Sequence, residues 1–178
     1  MKGFSRMMGA LLAAMLVMAS PALAKDTVKL SFLGPLTGGN SAIGLGGRNS
    51  ADLAVKLKNA DPNAKYAYEL MVLDDECKPN IGVQVATKAA ADKAVAATVA
   101  HYCSVVAVAT TEVFHKFGQP MVVWGAVHPD VTYGADYPEI HRVNGTMIDQ
   151  NENAAKFMAG QGFKTWADIH DTTVYVKG

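Results

Sequence analysis

Six β-type runs in this 178-residue chain alternate with helical stretches, at spacings too long for hairpins. That alternation constrains the fold more than any other feature. Strands separated by helices can pair only through crossovers, which gives an α/β fold: a parallel sheet with helices on both faces. The runs are Val28–Leu33, Tyr66–Leu73, 94–102 ("AVAATVAHY"), 119–125 ("QPMVVWG"), 139–144 ("EIHRVN") and 163–171 ("FKTWADIHD").

Between the runs, a loop rich in Gly, Ser and Asn is expected through Gly47, followed by a helix over 49–60 capped by Asn49 or Ser50. Further helices are predicted at Asn80–Ala94, with Ile81, Val85, Ala89 and Val95 along one stripe, at Ser104–Gly118 and at 149–162. Gly118 stands in the usual C-terminal position of its helix. The segment Ala126–Tyr137 reads as irregular.

The first 24 residues point to export. Lys2 and Arg6 precede an apolar run, Met7–Ala19, which ends in "SPALA". That run is too short to span a bilayer, and Ala22-Leu23-Ala24 satisfies the small-x-small rule, so residues 1–24 are read as a signal peptide cleaved after Ala24. The mature chain loses two of sixteen basic residues, leaving fourteen against sixteen acidic ones. A near-neutral surface with no basic stripe argues against a nucleic-acid partner.

Only two cysteines remain to an exported protein, in "DDECKPN" and "AHYCSV", and each closely follows a strand. In a parallel sheet both strand ends lie at the same carboxyl edge, with neighbouring strands about 4.8 Å apart. A Cys77–Cys103 disulfide between neighbouring strands is therefore expected, worth about 3–4 kcal/mol by loop-closure entropy. Two free thiols are the alternative. The bridge would tie loops at the edge where open α/β sheets take ligands.

Enzyme signatures are missing. There is no G-x-S-x-G elbow, H-E-x-x-H pair or paired-cysteine metal motif, and the five histidines are dispersed. The glycines of "GPLTGGNSAIGLGG" match neither dinucleotide nor P-loop patterns. Neither catalysis, a metal nor a cofactor is expected.

Several stretches are similar to the periplasmic solute-binding proteins for branched-chain amino acids, the leucine/isoleucine/valine-binding family of ABC importers. They are "VKLSFLGPLTG", "SADLAV", "LDDECKPNIGVQVATKAAAD", "AHYCSVVA", "HPDVT" and "IHDTTVYVKG". The resemblance implies a type 1 periplasmic-binding fold of two α/β lobes closing on an amino acid. Residues 25–145 would be the N-terminal ligand-binding lobe and 146–178 the start of a truncated second lobe.

By the same resemblance, Ser104, directly after the second cysteine, holds the ligand carboxylate at a helix start. A plain N-cap is its structural alternative. Gly125, Ala126 and Val127 stand where the family grips the ligand ammonium with a small residue and a threonine. Backbone carbonyls at Gly125 or Ala126 are the remaining acceptors there, because Val127 lacks the hydroxyl. Ile43 replaces an aromatic residue of leucine-type members, and Tyr102 is a further cleft candidate.

The implied partners are a small amino-acid-like ligand and an inner-membrane ABC permease, although permease docking uses both lobes. A chain ending at Gly178 also leaves the apolar residues after Asp149 without partners, which predicts a homodimer, swapped or paired. A non-binding remnant is the alternative to a working receptor.

Overall fold

The structure, a computed structural model, describes residues 25–167, 169 and 172–176. The signal-peptide assignment lies outside these residues. Five strands, β1 (Thr27–Gly34), β2 (Ala67–Asp74), β3 (Val95–Val99), β4 (Met121–Val123) and β5 (Ile140–Arg142), form one parallel sheet in the order β2-β1-β3-β4-β5. Helices α1 (Ser41–Ala60), α2 (Pro79–Ala91), α3 (Ser104–Phe117), α4 (Asp130–Tyr133) and α5 (Met147–Gly160) alternate with them. A short 3-10 turn, Val174–Val176, follows.

The strand order corrects one expectation. The two cysteine-bearing loops do not leave neighbouring strands, because β1 lies between β2 and β3. They meet over the end of β1 instead. The chain runs outward from β1 to β2 and then returns across it to β3, so the direction of winding reverses between β1 and β3. With right-handed crossovers, that reversal puts α1 on one face and the packed pair α2 and α3 on the other.

The main core fills the α2–α3 side. Leu33, Ala86, Ala89, Ala107, Phe114, Met121, Val123 and Ile140 are buried there. Small alanines on α2 and α3 let the two helices approach, and Gly82 sits so close to Val106 that a Cβ would collide with it. Inside the sheet, Ser31 and Thr98 share a 2.6 Å hydrogen bond between β1 and β3. Gln119 satisfies the next positions, accepting from Thr98 and donating to the Val95 carbonyl. Such pairing is what makes buried polar groups tolerable.

The opposite face explains a second correction. Helix α1 begins at Ser41, with Asn40 at its cap position, so the glycine-rich stretch expected as a loop is helical. Interior glycines weaken a helix by about 1 kcal/mol each, yet here they set its distance from the sheet. A Cβ on Gly44 would overlap the Pro35 carbonyl, and one on Gly47 would stand 2.9 Å from the Trp124 ring. Ser50 caps nothing; its hydroxyl donates back to the Gly46 carbonyl.

Three smaller departures follow local chemistry. Helix α2 stops at Ala91 because Asp92 turns the chain, accepting from the Ala94 amide and from Lys29. The irregular segment contains the one-turn helix α4. Phe163–Ala167 forms no strand, although its residues favour one, and Asp168, His170 and Asp171 of that predicted strand lie outside the described residues.

Candidate functional site

A cavity of about 520 Å³ opens at the carboxyl edge of the sheet, beside the β1/β3 reversal. Open α/β sheets bind ligands at such switch points, because two loops diverge there and leave a crevice. Five bonds fix the wall of this one. Cys77 and Cys103 are joined, with Cα atoms 5.6 Å apart. Beneath them, His101 Nδ1 lies 2.7 Å from Asp75 Oδ2, both side chains fully buried. The second Asp75 oxygen accepts the Cys77 amide, and the His101 carbonyl accepts the amides of Gly125 and Ala126. The loops after β2, β3 and β4 are thus held to one another.

Asp74 ties in the loop after β1. Its carboxylate accepts from the Leu36 and Glu76 amides and from the Thr37 hydroxyl. Burial pushes this carboxyl up, but the Thr37 hydroxyl and the surrounding amides outweigh it and hold it below its ordinary value.

Ser104 is the first residue of α3 and is buried. The cap position belongs to Cys103, not to Ser104, and no side chain caps the helix. The reason is chemical: a sulfur committed to a disulfide offers no oxygen to the first-turn amides. Helix geometry leaves those leading N–H groups without intrahelical acceptors, and Val105, the second helical residue, lines the cavity beside Ser104. The Ser104 hydroxyl accepts the His128 amide at 3.3 Å. Accepting there leaves the hydroxyl's donor capacity for another partner. A hydroxyl, uncapped amides and the positive end of a 14-residue helix together suit an anion.

The sequence-derived candidates divide. Ser104, Tyr102, Gly125, Val127, Cys77 and Cys103 line the cavity; Ile43 and Ala126 do not. Ile43 is 46% exposed on α1, and Ala126 is buried behind the wall. The Ala126 carbonyl already accepts from Arg142 Nη1 and Asn144 Nδ2. Burial pushes the Arg142 guanidinium down from its ordinary value, and three acceptors satisfy it: Thr132, Ala126 and His128. Tyr102 leans on Trp124 with ring centroids 5.6 Å apart, and Trp124 leans on Phe32.

Four further lining residues were not legible in the sequence: Asn40, Gln150, Thr173 and Tyr175. They come from the α1 start, α5 and the terminal turn, far apart along the chain, and no local pattern marks them. Among the described residues, no cluster of three His, Cys, Asp or Glu side chains could hold a metal ion.

The chain is an open parallel α/β lobe with an uncapped helix start beside a cavity at the carboxyl edge of its sheet. The profile described as "Periplasmic binding protein" matches residues 27–177, and this chain belongs to that family, one of binding proteins rather than enzymes. It is 32% identical, over its whole length, to the leucine-, isoleucine-, valine-, threonine- and alanine-binding protein of Pseudomonas aeruginosa PAO1, of which it spans 48%.

Among solved structures, a branched-chain amino acid ABC transporter protein of Rhodospirillum rubrum shares 26% identity at a TM-score of 0.65. The match covers 79% of this chain and 40% of that one. A solute-binding protein of Rhodopseudomonas palustris BisB5 in complex with 3,4-dihydroxybenzoic acid matches at a TM-score of 0.70, 24% identity, with 79% and 38% covered. A leucine complex of a Desulfitobacterium hafniense substrate-binding protein reaches 0.66 at 21% identity, with 77% and 40% covered. The latter two likenesses speak to the fold. The chain spans about half the length, or less, of the relatives it matches.

Proposed function

We propose that this chain acts in the periplasm as the substrate-binding component of an ABC importer, holding the carboxylate of a small, amino-acid-like ligand at the start of α3. The observation that carries the reading is the Ser104 helix start. It is buried, uncapped because Cys103 is spent in the disulfide, and placed at the mouth of a cavity large enough for such a ligand. The named ligands of its relatives, leucine and other amino acids in one case and an aromatic acid in another, all carry a carboxylate. Delivery to an inner-membrane permease is part of the same proposal.

Isothermal titration of the protein with a panel of amino acids and aromatic acids tests the reading. Saturable binding that Ser104→Ala abolishes supports it. Heat that survives the substitution unchanged would move the site elsewhere, and no heat across the panel would leave a remnant that binds nothing.

Self-association belongs to the proposal too. Phe157, Phe163, Trp166 and Ile169 are all at least 60% exposed, and such apolar surface favours a partner. Light scattering on the purified protein should give the mass of a dimer; a monomer at high concentration rejects it.

A further inference from the structure

Asn40 stands at the cap position of α1 and does not cap it. Asparagine is among the strongest residues there, because its side-chain oxygen can take a first-turn amide. Here the side chain serves another contact. Its Nδ2 donates to Cys103 Sγ at 3.9 Å, its one partner among the described residues, and Asn40 lines the cavity half-buried.

Cys103 holds the same position on α3, and its sulfur is committed to Cys77. The cap residues of two helices thus meet side chain to side chain at the cavity, and neither closes its own helix. Sulfur is a weak acceptor, so the Asn40 amide is held in place by a bond that a better acceptor displaces. A carboxylate at the start of α3 is such an acceptor, and it would lie beside Cys103, the neighbour of Ser104. It offers about four lone-pair sites, and hydrogen bonds to an ionised group are roughly twice as strong as neutral ones.

We infer that Asn40 is a specificity-determining residue of this site: its Nδ2–H passes from Cys103 Sγ to the ligand carboxylate, so that α1 and the start of α3 grip the acid group together. The inference rests on the proposed reading of the Ser104 edge and adds to it a contact from a different helix. A neutral donor aimed at the acid favours a carboxylate over the carboxamide of the same shape, since the amide lacks the charge that strengthens the bond.

The experiment compares two acids with their primary amides: leucine with leucinamide, and 4-hydroxybenzoate with 4-hydroxybenzamide. Asn40→Asp keeps the size of the side chain but replaces its donor with a negative acceptor. Titration calorimetry on the full chain at pH 7 should show an acid that binds the parent losing about a hundredfold in Asn40→Asp, while its amide loses far less. Asn40→Ala should give the milder form, about tenfold for the acid, the size of one charge-assisted hydrogen bond. Melting temperatures should stay near the parent's, because the side chain caps no helix.

Parent-like affinity in both variants, with Ser104→Ala still abolishing binding, would overturn the inference and leave the acid site standing. Equal weakening of acid and amide would also overturn it, since Asn40 would then shape the cavity without reading the charge. Failure of both acids to bind the parent would reject the inference together with the Ser104 reading beneath it.

Discussion

Helices α3 and α5 have the same length and begin in opposite ways. The start of α5 is closed by its own residues: the Thr146 hydroxyl accepts the Asp149 amide, and Asp149 accepts the Thr146 amide and hydroxyl. The start of α3 has no such cap. It is held from outside instead, by the Cys77–Cys103 bridge, by the Asp75–His101 pair and by the amide that His128 gives to Ser104. A start fixed from outside keeps its own amides available. A capped start spends them. The difference teaches how a fold can hold one helix end rigid without consuming the donors that a ligand needs.

The comparison breaks most readily at the buried pair. Asp75→Ala leaves His101 Nδ1 and the Cys77 amide without their acceptor at a fully buried pair, and denaturant unfolding should record a loss of about 3–5 kcal/mol. Replacing both cysteines by serine should cost about 3–4 kcal/mol, from the 26-residue separation the bridge closes. Ligand binding should weaken with it, since the start of α3 loses an external anchor.

On the other helix, Thr146→Ala should cost about 1 kcal/mol, the ordinary worth of a cap, and leave ligand affinity unchanged. A matching loss of affinity would mean that α5 also shapes the acid site.

The smallest effect concerns acid. The Thr146 amide and then its hydroxyl hold the Asp149 carboxyl below its ordinary value. A depressed folded value means that the cap contributes fully above the unfolded carboxyl range, near pH 4, and is lost as pH falls through the folded value. Asp149→Asn should therefore be less stable than the parent at neutral pH, with the gap closing in acid. Melting curves across pH 7 to 2 check this, and a gap that widens in acid would contradict the assignment.

Much of this architecture was legible in the chain. The alternating runs gave all five strands of the sheet, and export with two cysteines pointed to the bridge that forms. Ser104 was named through the family resemblance, and the structure places it first in α3 against the cavity. Three features were hidden for separable reasons. Glycine preference argues for a loop at 38–47, but Gly44 and Gly47 allow α1 to approach Pro35 and Trp124, and that packing overrides the local preference. The placement of β1 between the cysteine strands depends on the order of pairing, which no single run encodes. Val127 was seen to lack a hydroxyl, yet the saturation of the neighbouring carbonyls by Arg142 and Asn144 needed coordinates, since those donors lie 16 and 18 residues further along the chain.

The most direct test of the account is an amide-resolved NMR titration of the labelled protein with the tightest-binding acid of the amino-acid and aromatic-acid panel. The amides of Ser104 and Val105 should shift first and saturate together, while Lys93 and Gln119 at the opposite edge of the sheet stay still. Saturable shifts that bypass the start of α3, or that gather at the far edge, would contradict the claim that this uncapped helix end receives the acid.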